Sequence, residues 1–397
     1  MNLRIHGIDL ARGLAILGMM LAHFADPLSR EGTLIDGFPS TLFAVVAGFS
    51  LALIHSRSPE NPAPLLIRGV ILFLLGSAIS VVPVIAQVLT SVALIYLLLF
   101  WVPRLRTRHV AVVLGVLTVA SALASSFGFS MTVYPPTAWL VYGTLGVLLF
   151  RLQSRAPQRI PAVLLGAAVV AGLSLWWRVN SVGYQFLGDS VSPMDNGWTE
   201  YEPTGFTPAD SLSAALTPLP HSGSIGDLLC TGSMAVLVIL GCLLLTRLHP
   251  VVSATWPLRA IGRAALTVYL AHVLTAGFYL QHETQAEFPV PEATDAAQEE
   301  PSLENYQEVV AGAETWEELY EAEAEFYGYG DAGYGDAEQY STPAGPNTHW
   351  WAFGISALTA LILAPLWLRF FRQGPVEWLV SRLVRAGAAA GRSAHTP

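Results

Sequence analysis

The chain has 397 residues, 53% of them hydrophobic and 12% charged, with a mean hydropathy of +0.50. A soluble domain carries about twice that charged fraction, which excludes an ordinary water-soluble fold. The net charge of -9 hides two regions of opposite sign: 17 of the 29 acidic residues lie between Glu283 and Glu338, where there is no Arg, and the remainder carries 20 Arg, no Lys and 12 acids.

The apolar residues come in long blocks that are apolar on every face, and such helices must be buried in protein or in lipid. A membrane crossing needs roughly 20 apolar residues. Taken in chain order, the blocks predict spans near 9–27, 39–56, 65–82, 86–102, 109–127, 136–152, 160–178, 225–246, 261–280 and 349–370. The N-terminal block lacks the short core and small-residue cleavage site of a secretory signal, so it reads as a retained helix. The fold class is therefore all-α: a polytopic transmembrane helical bundle of about ten helices. Residues 1–280 hold the first nine spans and 281–348 form an acidic insert. Residues 349–370 are the last span, and 371–397 are an Arg-rich tail. The stretch Ser302–Phe326 favours a surface helix by its Glu and Ala content, and Tyr327–Tyr340 reads as disordered.

Arginine placement gives the orientation. Arg4, Arg57, Arg104/Arg106/Arg108, Arg151/Arg155/Arg159, Arg247/Arg259/Arg263 and Arg369/Arg372/Arg382/Arg385 fall on one side if spans alternate. The positive-inside rule then places both termini in the cytoplasm. Arg30 and Arg178 break the pattern. Trp176, Trp177, Trp350 and Trp351 mark outer span ends. The Arg clusters follow the loops, which points to topology and lipid headgroups as partners rather than nucleic acid.

Ionisable groups inside a bilayer are costly and mark functional positions or internal pairs. Asp9 and Arg12 are three apart, share a helix face and can pair. His23 and Asp26 are also three apart, at the outer end of the first span. A carboxylate one turn away orients an imidazole and raises its basicity, as a general base requires. His272 shares the ninth span with Thr267 and Tyr269 and is expected near the bilayer midplane, where such groups can bind substrate or join helices. His221 lies in Pro220-His221-Ser222-Gly223-Ser224 at the outer mouth of the eighth span, where Ser222 or Ser224 can cap the helix and Ser224-x-x-Asp227 forms a capping-box variant. Cys230 and Cys242 lie in one apolar block and supply neither a disulfide framework nor a zinc site; no metal motif or phosphate loop is present.

Several stretches carry a family resemblance: Ile8–Gly18 (IDLARGLAILG), Leu42–Ser50 (LFAVVAGFS), Gly262–Tyr269, and Gly374–Trp378 after the last span. Spread in order along the chain, they resemble the heparan-alpha-glucosaminide N-acetyltransferase-like family and the related YeiB-type bacterial membrane proteins. The resemblance implies a transmembrane acyltransferase in a bacterial cytoplasmic membrane. Its co-substrate would be cytosolic acetyl-CoA or another acyl-CoA, with no metal. Its acceptor would be a small molecule, glycan or lipid-linked sugar, and a second copy of the chain is a possible partner. In the heparan enzyme the position matching His23 looks like Asn, and the active His follows in the outer loop after the first span. Here Ala25–Phe38 contain no His. The catalytic candidates are therefore His23 with Asp26, or His221. Asp9, Arg12, Arg263, Thr267, Tyr269 and His272 are the substrate-binding candidates, with Arg12 and Arg263 suited to acyl-CoA phosphates. A transporter or flippase, or a non-catalytic scaffold, is the alternative reading.

Overall fold

A computed structural model describes residues 5–25, 35–81, 85–127, 134–181, 208–287 and 349–393. Two units divide the chain, Met1–Gln281 with Thr348–Pro397, and His282–Asn347. The acidic insert, with the surface helix and disordered stretch expected in it, lies outside the described residues except for its first few.

The described residues form helices α1 (His6–Phe24), α2 (Phe38–Arg57), α3 (Ala63–Ile79), α4 (Leu89–Leu98), α5 (Thr107–Ser126), α6 (Pro136–Arg155) and α7 (Ile160–Ser181). They continue with α8 (Pro208–Leu216), α9 (Ile225–Leu245), α10 (His249–Ala254), α11 (Trp256–Arg263), α12 (Ala265–Glu287), α13 (Trp350–Phe370) and α14 (Pro375–Ser393). No strand occurs among the described residues.

Six of these helices are long and apolar enough to cross a membrane: α1, α2, α5, α7, α9 and α13. A seventh crossing results if α11 and α12, bent by 83° at their junction, count as one. The crossing expected over 86–102 is corrected. Its helix, α4, has 10 residues, about 15 Å of rise against a hydrocarbon core of about 30 Å. Helix α6 has the length of a crossing but carries Arg151, Gln153 and Arg155 in its last turns. The Arg-rich segment 371–397 contains the helix α14, whose start is tied into the bundle.

Exposed apolar side chains identify the solvent. Val112, Val116, Val119 and Leu123 make one exposed stripe on α5, and Ile355, Leu358, Ile362 and Leu366 make another on α13. Their three- and four-residue spacing defines a helix face. In water such stripes would be a large unprotected patch; in a bilayer they are the surface that meets lipid.

Small residues set the interior crossings. A Cβ on Gly262 of α11 would sit 1.8 Å from the Asp9 carbonyl oxygen, and one on Gly13 would sit 2.1 Å from that of Leu258. Helices α2 and α6 meet in the same way through Gly48 and Gly146. Without a hydrophobic drive between helices in lipid, close backbone approach supplies the packing. Gly262 lies beside Asp9 and Gly13, and α12 reaches the C-terminal end of α1, where His272 and Tyr279 meet His23 and Phe24.

Candidate active site at the acidic end

Side-chain bonds separate the two ends of the bundle. At the arginine-rich end, guanidinium groups mostly hold the backbone. Arg12 donates to the Gly262 carbonyl at 3.1 Å and to Ser50 Oγ at 3.0 Å, with Asp9 at 3.6 Å. Arg151, buried, donates to the Leu105 and Pro103 carbonyls at 2.6 and 3.0 Å. Arg259 bonds His6 Nδ1 at 2.9 Å, and Arg263 donates to the Arg372 carbonyl at 2.8 Å. Glu377, from α14, accepts from the Leu266 and Thr267 amides at 2.5 and 3.2 Å and from Thr267 Oγ1 at 2.6 Å. A carboxylate there satisfies donors orphaned at the start of α12 and complements the positive end of its dipole.

The opposite end gathers carboxylates and imidazoles. His221, in the turn before α9, places Nε2 2.9 Å from Asp36 Oδ1, just before α2. Its backbone is left-handed, with φ 59°, and that of Gly223 is too, with φ 69°. Tyr134 sets its ring edge-on to His221, with centroids 5.2 Å apart. Burial and the Asp36 carboxylate push the Tyr134 phenol above its ordinary value, so it stays protonated. His221 also borders a small cavity of about 10 Å³, room for about one water molecule. Thr41, Trp139, Tyr142 and Asp227 share its lining.

A buried ion pair holds this turn. Arg178 Nη2 meets Asp227 Oδ1 at 3.0 Å, with side chains 4% and 2% exposed. Arg178 Nε donates to the Pro218 carbonyl at 2.8 Å, and Nη1 to the Asp36 carbonyl at 3.3 Å. The second Asp227 oxygen accepts from the Gly223 amide at 3.2 Å. Ser224 caps α9 by accepting from the Asp227 amide at 3.2 Å, as its position before Ile225-Gly226-Asp227 predicts. One ion pair thus ties the backbone on both sides of His221 to the backbone of Asp36.

Among the described residues His23 meets an imidazole. Its Nδ1 lies 3.0 Å from His272 Nε2, and the two ring planes agree within 5°. One nitrogen must donate and the other accept, so the two rings hold complementary tautomers. His272 Nδ1 is buried without a hydrogen-bond partner among the described residues. Phe24 packs edge-on to His272 and to Tyr279, and Tyr279 OH lies 3.3 Å from His349 Nδ1. His272 thus sits level with His23, across from the last turn of α1. Asp26, the expected partner of His23, lies outside the described residues.

Of the substrate-binding candidates, Asp9, Arg12, Arg263 and Thr267 lie at the arginine-rich end, engaged as described. Tyr269 OH accepts from the Val88 amide at 2.9 Å and so caps α4. Sequence reasoning missed Asp36 and Arg178–Asp227 as site components. The signal for the pair was present in Arg178, an arginine on the wrong side for topology. Among the described residues no three His, Cys, Asp or Glu side chains are grouped to hold a metal.

Two stretches match known families. Residues 4–150 match heparan-alpha-glucosaminide N-acetyltransferase, catalytic, and residues 340–387 match a family described as protein of unknown function (DUF418). No curated protein and no solved structure gave a match. Of the stretches that carry the resemblance, Ile8–Gly18 and Leu42–Ser50 fall in the first match, Gly374–Trp378 falls in the second and Gly262–Tyr269 falls in neither; the first match supports a family of membrane acetyltransferase type. Asp36 falls inside the first match; His221, Asp227 and His272 fall outside both.

Proposed function

We propose that this chain is an integral-membrane acyltransferase. It moves an acetyl group from cytosolic acyl-CoA to a hydroxyl or amine of an extracytoplasmic sugar, cell-envelope glycan or lipid. His221 is the general base and Asp36 its orienting carboxylate. The observation that carries the assignment is the 2.9 Å contact between His221 Nε2 and Asp36 Oδ1 beside a cavity.

The chemistry follows from the tautomer. Asp36 accepts a hydrogen bond from the Nε2–H of His221, which leaves the Nδ1 lone pair to take a proton from the acceptor. The acceptor oxygen or nitrogen then attacks the thioester carbonyl carbon, and the C–S bond breaks as the new C–O or C–N bond forms. CoA leaves as a thiolate and takes up one proton, and the imidazolium gives one up, so charge balances. Arg178 and Asp227 do not touch the reacting atoms; they hold the backbone that aims the base. Arginines at the other end suit the donor's phosphates, and the positive-inside rule puts that end in the cytoplasm.

The test is turnover of radiolabelled acetyl-CoA by the detergent-purified protein with glycan and lipid acceptors. His221→Ala and Asp36→Asn are run beside His23→Ala. Loss of CoA release in the first two, with folding intact, supports the reading. Loss in His23→Ala alone moves the base to the His23–His272 pair. No acetyl-CoA binding by folded protein removes the acyltransferase and favours a transporter.

A further inference from the structure

Between α12 and α13 at the arginine-rich end lies an open groove of about 420 Å³. Ala264, Val268, Leu363, Ala364, Trp367 and Phe370 line it, and its surface is almost wholly apolar. The one hydroxyl on its wall, Thr267 Oγ1, is already bonded to Glu377 and to the Val376 amide. Nothing in the groove can recognise a polar ligand, so its occupant must bring an apolar chain.

The residues that flank the groove in sequence have the opposite character. Arg263 adjoins the lining residue Ala264 and reaches the carbonyl of Arg372. Arg369 adjoins the lining residue Phe370, and Arg369 and Arg372 are both exposed. The nearby carboxylate, Glu377, is taken up by amides at the start of α12. That contact also closes the helix N-terminus to any other anion. The uncompensated charges flanking the groove are therefore positive. Aromatic rings fix the depth. Trp367 and Phe371 stack with centroids 4.2 Å apart, and Phe370, Phe371 and Trp378 are exposed. Such a belt marks the boundary between hydrocarbon and headgroups. Helix α14 exposes Trp378, Leu379 and Leu383 and places Arg382 over the Trp378 ring, the composition of a helix lying in that boundary.

We infer that this groove binds one anionic phospholipid of the adjacent leaflet, its acyl chain between α12 and α13 and its phosphate against Arg369, Arg372 and Arg263. Basic pockets between membrane helices recognise anionic headgroups in this way, and guanidinium suits phosphate by its paired donors. Most of the groove wall and all of its arginines except Arg263 belong to residues 340–387 or adjoin them, so the inference gives that matched stretch a ligand. It is independent of acyl transfer.

The test uses the full chain, stripped of lipid in detergent and read by native mass spectrometry. Phosphatidylglycerol and phosphatidylcholine are offered separately. The parent should retain one phosphatidylglycerol in preference to phosphatidylcholine. R369Q/R372Q should weaken that retention about thirtyfold, from roughly 1 kcal/mol per basic residue. Both residues are exposed, so this variant keeps the fold. Leu363→Trp, at an exposed position of the groove wall, should block the groove and abolish retention of the lipid in protein that still folds. Equal retention of the two lipids, or retention unchanged in R369Q/R372Q, overturns the site. Displacement of the lipid by acetyl-CoA also overturns it and makes the groove part of a donor site.

Discussion

The two ends of the bundle use the same charged chemistry for different ends. At the arginine-rich end, Arg151 gives its donors to the Pro103 and Leu105 carbonyls and Arg12 to Gly262. Each closes a helix terminus or a turn. At the acidic end, Arg178 holds Asp227, and the two together hold the turn that carries His221 toward Asp36. The His221 and Asp36 side chains remain 23% and 49% exposed, while those of Arg178 and Asp227 are buried. The difference teaches where to look for function. A charged group whose bonds close a helix end or a turn is structure. A partly exposed acid–base pair held by a buried one has been built to meet something.

If that contrast is right, the largest loss of stability comes from breaking the buried pair. Arg178→Met leaves the buried Asp227 charged and without its ion-pair partner, and should cost about 3–5 kcal/mol, read from the unfolding midpoint in detergent. The double substitution R178M/D227L should recover most of that loss, because removing both charges also removes the desolvation penalty. Acetyl transfer should stay low in the double variant, since the His221 turn is no longer held. Recovery of both stability and turnover would break the comparison.

A smaller effect is expected at the opposite end. Glu377→Gln keeps the shape of the cap but loses its charge, and should cost about 1–2 kcal/mol of stability. Per-molecule turnover should stay close to that of the parent. His272→Gln keeps one hydrogen bond to His23 and should cost about 1 kcal/mol or less. A large fall in turnover there would shift the acid–base role to the His23 pair. The smallest effect belongs to exposed arginines of the loops. Arg104→Gln should lie within about 0.5 kcal/mol of the parent in the same unfolding assay, and a larger change would mean that this arginine also closes structure.

Much of this was legible in the sequence because local rules decide it. The apolar blocks became helices because hydrophobic runs have only one membrane-compatible backbone solution. Asp9 and Arg12 met because three residues make nearly one turn. Ser224 capped α9 because a serine before Ile225-Gly226-Asp227 offers an acceptor to an orphan amide. What was not legible depends on contacts far apart in sequence. His23 meets His272 across 249 residues, and His221 meets Asp36 across 185. Spacing favoured Asp26 as the nearest carboxylate to His23, but spacing says nothing of a facing helix. The short α4 was hidden because Val88–Val102 is apolar but for Thr90 and Ser91, and hydropathy does not reveal where a helix stops. Arg178 was half legible: its misplacement signalled an internal partner, and only the packing of α7 on α9 identified it as Asp227.

The central claim is that the His221–Asp36 pair performs acyl transfer. The most direct measurement is single-turnover release of CoA from radiolabelled acetyl-CoA by purified parent, His221→Ala and Asp36→Asn proteins, each checked for an unchanged unfolding midpoint. The account predicts a loss of about 10²–10⁴-fold in His221→Ala, a smaller loss in Asp36→Asn, and parent-like folding in both. CoA release that survives undiminished in folded His221→Ala protein would contradict it.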